Sequence, residues 1–399
     1  MARLFTIPDN FTSEPLPLVF ITESSQSEQC SSLSAGDLTG MVVLCDSAGG
    51  NLISKGAVVL QAGGAGMVLF NTQEWGYTTL AYDHLLPSSL VSYNAGLEIK
   101  SYINSTDDPT VSLIFKGTTF GSVAPEMSFF SSRGPNKLSP GILKPDITGP
   151  GVNILAAWPF PPRNGTAVTP PRNRPFNVIS GTSMSTPHLS GVAALVKSTH
   201  PDWSPAAIKS AIITSAYLKA SDKLPIKDEQ HQDASIFAIG NGHVDPSKAI
   251  DPGLIYDIEA SDYTGYLCGL GYSDANLTTL AGRRVSCDDV QVVAEADLNY
   301  PTILVPLNST DDSKIIITRT VTNVGRANST YKAQIEAPKA VSVTVEPQIL
   351  KFQEINEKKN FTVSVSKASG SLSREWKAQL YWISDDHVVR SVISEVSNV

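Results

Sequence analysis

Two hydrophobic rhythms divide the chain. In the first hundred or so residues, short apolar runs alternate with amphipathic or glycine-broken stretches. Val19-Phe20-Ile21 and Gly40-Met41-Val42-Val43-Leu44-Cys45 read as short strands. Val58 to Phe70 reads as helix, glycine-rich turn and buried strand, with Gly63, Gly64 and Gly66 marking the turn. Leu86-Pro87-Ser88-Ser89-Leu90-Val91-Ser92 leads to a helix from Ala95 to Ile103, and Val111-Ser112-Leu113-Ile114-Phe115 closes the unit as a strand. From about residue 295 the rhythm changes. Ile315 to Val324, Tyr331 to Ile335, Val341 to Val345, Leu350 to Phe352, Phe361 to Val365 and Leu380 to Ile383 are short β-branched and aromatic runs between polar turns. That alternation predicts an antiparallel β-sandwich.

The stretch between these regions is organised around Asn177-Val178-Ile179-Ser180-Gly181-Thr182-Ser183. It begins as a short apolar strand ending near Ile179, turns at Gly181 and enters a helix of about a dozen residues, carried by Leu189 to Thr199. Further on, Ser204 reads as an N-cap and Pro205 as the first residue of an amphipathic helix through Thr214. Ahead of the central strand, Gly149-Pro150-Gly151 and Pro145 punctuate two short apolar strands. A serine where a strand meets a helix start lies beside amide groups without intrahelical partners and near the positive end of the helix dipole. A hydroxyl there has donors at hand for a developing oxyanion. Ser183 is therefore the candidate nucleophile. Lys144 and Asp146 could form an acid/base pair, but a turn held by an Asx-type bond beside a surface charge is the preferred reading.

The 399 residues are 41% hydrophobic and 17% charged, enough for two or three domains. A formal net charge of −8 predicts neither a nucleic-acid nor an anionic-membrane partner. No apolar run spans a bilayer. The four cysteines fall into two close pairs, Cys30 with Cys45 and Cys268 with Cys287, without histidines at metal-ligand spacing. No calcium-type run such as D-x-D-x-D-G occurs, so neither metal nor cofactor is expected. Seven N-x-S/T sequons, at Asn10, Asn104, Asn164, Asn276, Asn308, Asn328 and Asn360, together with the even cysteine count favour a secreted, glycosylated protein with a Cys30–Cys45 disulfide. Met1 to Asn10 has no apolar signal-peptide core.

The octapeptide Gly181 to His188, G-T-S-M-S-T-P-H, resembles the nucleophile motif of the subtilisin-like serine peptidases, the subtilases. Phe129 to Pro135 (F-F-S-S-R-G-P), Lys144 to Ile154 (K-P-D-I-T-G-P-G-V-N-I), His200 to Ala211 and Gly240 to Pro246 are similar to strings of plant members, which more often carry Ala or another small residue where Asn241 stands. G-D-L-T-G-M-V-V-L-C, Q-A-G-G-A-G-M-V-L-F-N and the segment around His84 resemble the protease-associated (PA) domain inserted in plant subtilases. Arg319 to Gly325, R-T-V-T-N-V-G, resembles their fibronectin-III-like domain.

The resemblance implies an α/β fold: a partial subtilisin-like parallel-sheet core at 116–265, with an inserted PA-like α/β domain at 15–115 and a C-terminal antiparallel β-sandwich at 295–399. It implies a serine endopeptidase acting on polypeptides through an acyl-enzyme on Ser183. It also implies an extracellular, apoplastic location, and protein contacts through the PA-like and sandwich domains. Oligomeric state is left open.

A serine hydroxyl needs a base, usually histidine, oriented by a carboxylate. In subtilases the Asp, the His and the oxyanion Asn precede the PA insertion. Only about fifteen residues do so here, and no D-T-G or H-G-T string occurs. His188 lies five positions after Ser183 on the same helix, about 140° round its surface, and is expected to be a packed helix residue. His84 is expected to be structural. His200, His231, His243 and His387 have no Asp-bearing motif beside them. The expectation is an N-terminally truncated subtilase, inactive alone, with Ser183 as its one catalytic residue. The alternative is a non-catalytic interaction chain or a truncated gene model.

Overall fold

A computed structural model describes residues 14–33, 38–115, 121–158, 176–305, 314–368 and 376–395. The chain forms two compact units. The first comprises Met1–Ser131, Pro150–Thr186 and Ala220–Asp233; the second comprises Ser132–Gly149, Pro187–Lys219 and Ala234–Val399. Among the described residues no helix is long and apolar enough to cross a membrane.

The first unit opens with β1 (Leu16–Val19), α1 (Ser25–Glu28), β2 (Val42–Asp46), α2 (Leu52–Gln61), β3 (Gly66–Phe70), β4 (Ser88–Val91), α3 (Tyr93–Ser105) and β5 (Thr110–Val111). They build one sheet in the order β4-β3-β2-β1-β5. Its strands pair in parallel except β5, which runs antiparallel to β1. Val42 to Leu44 and Met67 to Phe70 are buried without alternation, as expected for parallel strands covered on both faces. One face packs Val43, Cys45, Met67 and Leu69 against Val59 of α2 and Leu86. The other packs Val42, Leu44, Val68 and Phe70 against Ile99 and Ile103 of α3. The α3 backbone lies so close that a Cβ on Gly96 would come within 2.4 Å of the Phe70 side chain.

The Cys30–Cys45 disulfide is formed here. Beside it the buried Lys55 ammonium donates to the carbonyls of Gln29 (2.8 Å), Asp46 (3.0 Å) and Ala48 (2.6 Å). The closing strand is shorter than the hydrophobic run predicts. Val111 pairs with Leu16, the first residue of β1, so no partner remains beyond it, and Ile114 is 66% exposed.

The same unit holds β6 (Ile154–Ala157) and β7 (Phe176–Ile179), an antiparallel ribbon, and the start of α4 (Thr182–Thr199). The expected mixed architecture is present. Within 121–250, however, the described pairing is this ribbon with isolated bridges, two of them parallel, Glu126 with Lys227 and Thr148 with His243. Prolines at 145 and 150 supply no N–H to a ladder and keep the segments short.

The second unit contains α5 (Pro205–Thr214), α6 (Ile236–Ile239), α7 (Pro246–Ile250), β8 (Leu254–Ile255), α8 (Ala260–Gly269), α9 (Asp274–Ala281) and β9 (Ile303–Val305). The strands that follow are β10 (Ile315–Asn323), β11 (Ser329–Glu336), β12 (Val341–Glu346), β13 (Ile349–Phe352), β14 (Lys358–Lys367), β15 (Lys377–Ile383) and β16 (Val388–Glu395). As predicted, Ser204 caps α5, accepting from the Ala207 amide (3.0 Å), with Pro205 at its first turn. Val192 and Val196 of α4 pack on Ala207, Ala211 and Ile212 of α5.

The sandwich joins sheets β12-β14-β10-β8 and β13-β11-β15-β16-β9 around Tyr331, Phe352, Phe361, Trp376 and Trp382. Phe361 and Trp382 meet edge to face at 5.1 Å. A second disulfide links Cys268 and Cys287.

Candidate active site around Ser183

Strand β7 ends at Ile179, and Gly181 adopts φ +155°, from which the chain enters α4. The helix begins earlier and runs longer than the hydrophobic pattern predicts: eighteen residues, with Ser183 second and exposed. The Met184 amide closes on the Gly181 carbonyl (3.0 Å), and the Gly181 amide donates to the Gly151 carbonyl (2.8 Å). The two turns touch at Gly151, where a Cβ would sit 3.0 Å from the Gly181 oxygen and 3.2 Å from Ser185 Cβ. Pro187 lies inside the helix, so the Ser183 carbonyl lacks its ordinary partner four residues on.

Sequence reasoning missed Asn153. This residue lies in the left-handed region (φ 52°), and its amide donates to Ser180 Oγ (2.7 Å), three residues before Ser183. The one available signal was the residue type, since Asn tolerates that conformation better than most.

The histidines have their own surroundings. His188 is exposed on α4, not packed as expected, because the buried stripe of this helix runs through Val192 and Val196. His200 Nε2 meets the Ile250 carbonyl (2.8 Å) while its ring stacks on Trp203. His231 pairs with Glu126 (3.2 Å) and stacks on Tyr77. His243 Nδ1 meets the Val244 carbonyl (3.1 Å), and burial lowers its pKa. His387 pairs with Asp251 (2.9 Å). His84 lies beside Gly56 of α2 with a buried Nδ1 that has no partner among the described residues, and burial pushes its pKa down to about 4.

Lys144 and Asp146 are bonded to each other, and the Asp146 carboxylate also accepts from the Tyr300 hydroxyl. Asp146 is thus held in the second unit as a structural acceptor rather than a free surface charge. Burial, then the Asp146 charge, raises the pKa of that phenol, which keeps it a donor.

The subtilase family model matches residues 26–246, and a fibronectin type-III domain model matches 297–394. Subtilisin-like protease SBT1.7 of Arabidopsis thaliana is 41% identical over 391 residues, covering 95% of this chain and 51% of the relative. Subtilisin-like protease SBT1.5 of the same plant is 42% identical over 353 residues, covering 86% of this chain and 46% of the relative. The chain spans about half the length of the curated relatives it matches. With its family-model match running through the strand, turn and helix that carry Ser183, the chain belongs to the subtilase family.

Proposed function

We propose that this chain carries the nucleophile of a serine endopeptidase site. Ser183 Oγ attacks the scissile carbonyl and forms an acyl ester, the amine product leaves with a proton, and water hydrolyses the ester. The observation that carries the reading is an exposed Ser183 at the start of an eighteen-residue helix, directly after a strand and a glycine turn, within a chain of this family.

Nucleophilic serine requires a base, and helix geometry turns His188 away from it. The other five histidines lie in other surroundings. We therefore read these 399 residues as inactive alone and completed by the Asp, His and oxyanion Asn of the family. The missing base is also what favours the second reading, a non-catalytic interaction chain.

The remaining assignments are a PA-like domain at 15–115, a catalytic segment at 116–265 and a sandwich from 295. The substrates are polypeptides and the location is extracellular. Secretion and glycosylation are supported by two formed disulfides and by the exposure of Asn104, Asn276, Asn328 and Asn360.

The test has two arms. The chain alone, assayed for peptide hydrolysis beside Ser183→Ala, is expected to be inactive; hydrolysis that the variant abolishes would show that another residue acts as base. The chain joined behind the preceding half of subtilisin-like protease SBT1.7 is expected to cleave peptides and to lose cleavage with Ser183→Ala. Activity that persists in that variant would remove Ser183 from the mechanism.

A further inference from the structure

The loop 79–81 lies between β3 and β4, far in sequence from Ser183. Two of its backbone groups nevertheless bond one side chain of the neighbouring turn. The Ala81 amide donates to Asn153 Oδ1 (2.8 Å), and Asn153 Nδ2 donates to the Thr79 carbonyl (3.4 Å). The same Asn153 Oδ1 accepts from Ser180 Oγ (3.3 Å), which in turn accepts from the Asn153 amide (2.7 Å). One carboxamide oxygen is therefore shared between an amide of the loop and a hydroxyl of the turn leading to Ser183.

Ser180 is followed by Gly181, whose amide is bonded to Gly151, two residues before Asn153. The turn is held at consecutive positions from the 151–153 segment. The backbone at Asn153 has φ 52°, a region costly for most side chains, so the bonds it makes are what hold it there.

We propose that Asn153 is a positioning residue that couples the 79–81 loop to the turn presenting Ser183. This rests on reading Ser183 as the nucleophile. Movement of the loop withdraws the Ala81 donor and frees the Asn153 side chain. Ser180 Oγ then loses its fixed acceptor, and the peptide unit at Ser180–Gly181, which aims the first turn of α4, is released. Whatever engages the 79–81 loop thereby changes the setting of the hydroxyl.

Amide hydrogen exchange of the full chain tests this, read in peptides covering 79–83 and 178–186, with the sandwich strands as a control for global folding. Asn153→Gly keeps the left-handed backbone and removes the carboxamide. It should speed exchange at both Ala81 and Gly181 about three- to tenfold, as loss of a net hydrogen bond predicts. Asn153→Asp keeps an oxygen acceptor and should restore protection at both. Ser180→Ala, which leaves the 79–81 loop untouched, should speed exchange at Ala81.

Exchange at Gly181 unchanged in Asn153→Gly would overturn the coupling. So would Asn153→Asp as damaging as Asn153→Gly, or Ala81 indifferent to Ser180→Ala. If Asn153→Gly loses sandwich protection and so fails to fold, Ser180→Ala decides. Fluorophosphonate labelling of Ser183 in the chimaera described above bears only on the nucleophile, so its failure is distinguishable from failure of the coupling.

Discussion

Arg390 of strand β16 donates from Nη1 to the side-chain oxygen of Asn241 at 3.3 Å, across 149 positions of sequence. Asn241 is fully buried. Its Nδ2 donates to the carbonyls of Ile213 (2.6 Å) and Arg390 (3.2 Å), and its oxygen also accepts from the Val392 amide (3.2 Å). Arg390 adds bonds to Gln379 Oε1 (2.9 Å) and the Ala216 carbonyl (3.2 Å), and burial lowers its pKa to about 10. A buried guanidinium satisfied by neutral oxygens depends on each of them.

Asn241→Ala should accordingly destabilise the chain by about 2–4 kcal/mol, because it strands the Arg390 charge and the Val392 amide together. The effect should be markedly smaller in an Arg390→Met background, with a coupling of roughly 1–3 kcal/mol in a double-mutant cycle of urea unfolding. Additive losses would show that the two residues act separately.

His84 makes stability depend on pH. Its folded pKa, near 4, lies below the ordinary histidine value of about 6.5. The unfolded chain therefore binds the extra proton first as pH falls. The stability this residue contributes is fully present above about pH 6.5 and is lost progressively down to about pH 4, with a limiting slope of about 1.4 kcal/mol per unit. His243 shifts in the same direction, so the difference between parent and His84→Phe isolates the effect. The urea midpoint of the variant should fall less steeply between pH 6.5 and 4. Parallel curves would remove His84 as the cause.

Much of this architecture is written in local pattern. The runs within β10 to β15 are legible because side chains in half-covered strands alternate, and Ser204-Pro205 marks its helix start by capping chemistry. Strand β16 is not legible. Val388 to Glu395 carries Arg390, Ser391 and Ser394 at buried positions, and their partners lie in distant segments. The Asn241–Arg390 contact is invisible for the same reason. At the site, Ser183 and the strand before it are readable, since strand, turn and helix are contiguous. Asn153 is not, because its role arises from a backbone conformation and from a loop 72 positions away.

The disulfide between Cys30 and Cys45 closes a loop of 15 residues onto β2, the central strand of the sheet. Replacing both cysteines by serine should lower stability by about 3 kcal/mol if the loss is mainly unfolded-state entropy. Hydrogen exchange should localise the loss to β2 and α1. An unchanged urea midpoint would mean that Lys55 and the packing around it hold this corner without the bond.

The β6–β7 ribbon leaves Leu155 58% exposed, Trp158 42% and Phe176 54%. Among the described residues neither strand pairs with a third. Such an edge invites self-association. Leu155→Lys with Phe176→Lys should reduce light scattering and dye binding while leaving the melting temperature within about one degree, since neither side chain is buried. Scattering that stays the same would place the aggregating surface elsewhere.

Strand β16 also sets an order of events during synthesis. It supplies the parallel partner of β9, through Ile393 beside Ile303, and carries the guanidinium that Asn241 requires. Both of those groups leave the ribosome well before residue 388. Until then β9 is an unpaired edge and the Asn241 side chain keeps only its bond to the Ile213 carbonyl. The second unit therefore cannot settle as it emerges. It waits for a single late segment, and a nascent chain stalled short of that segment presents open strand edges to any quality-control factor that reads them.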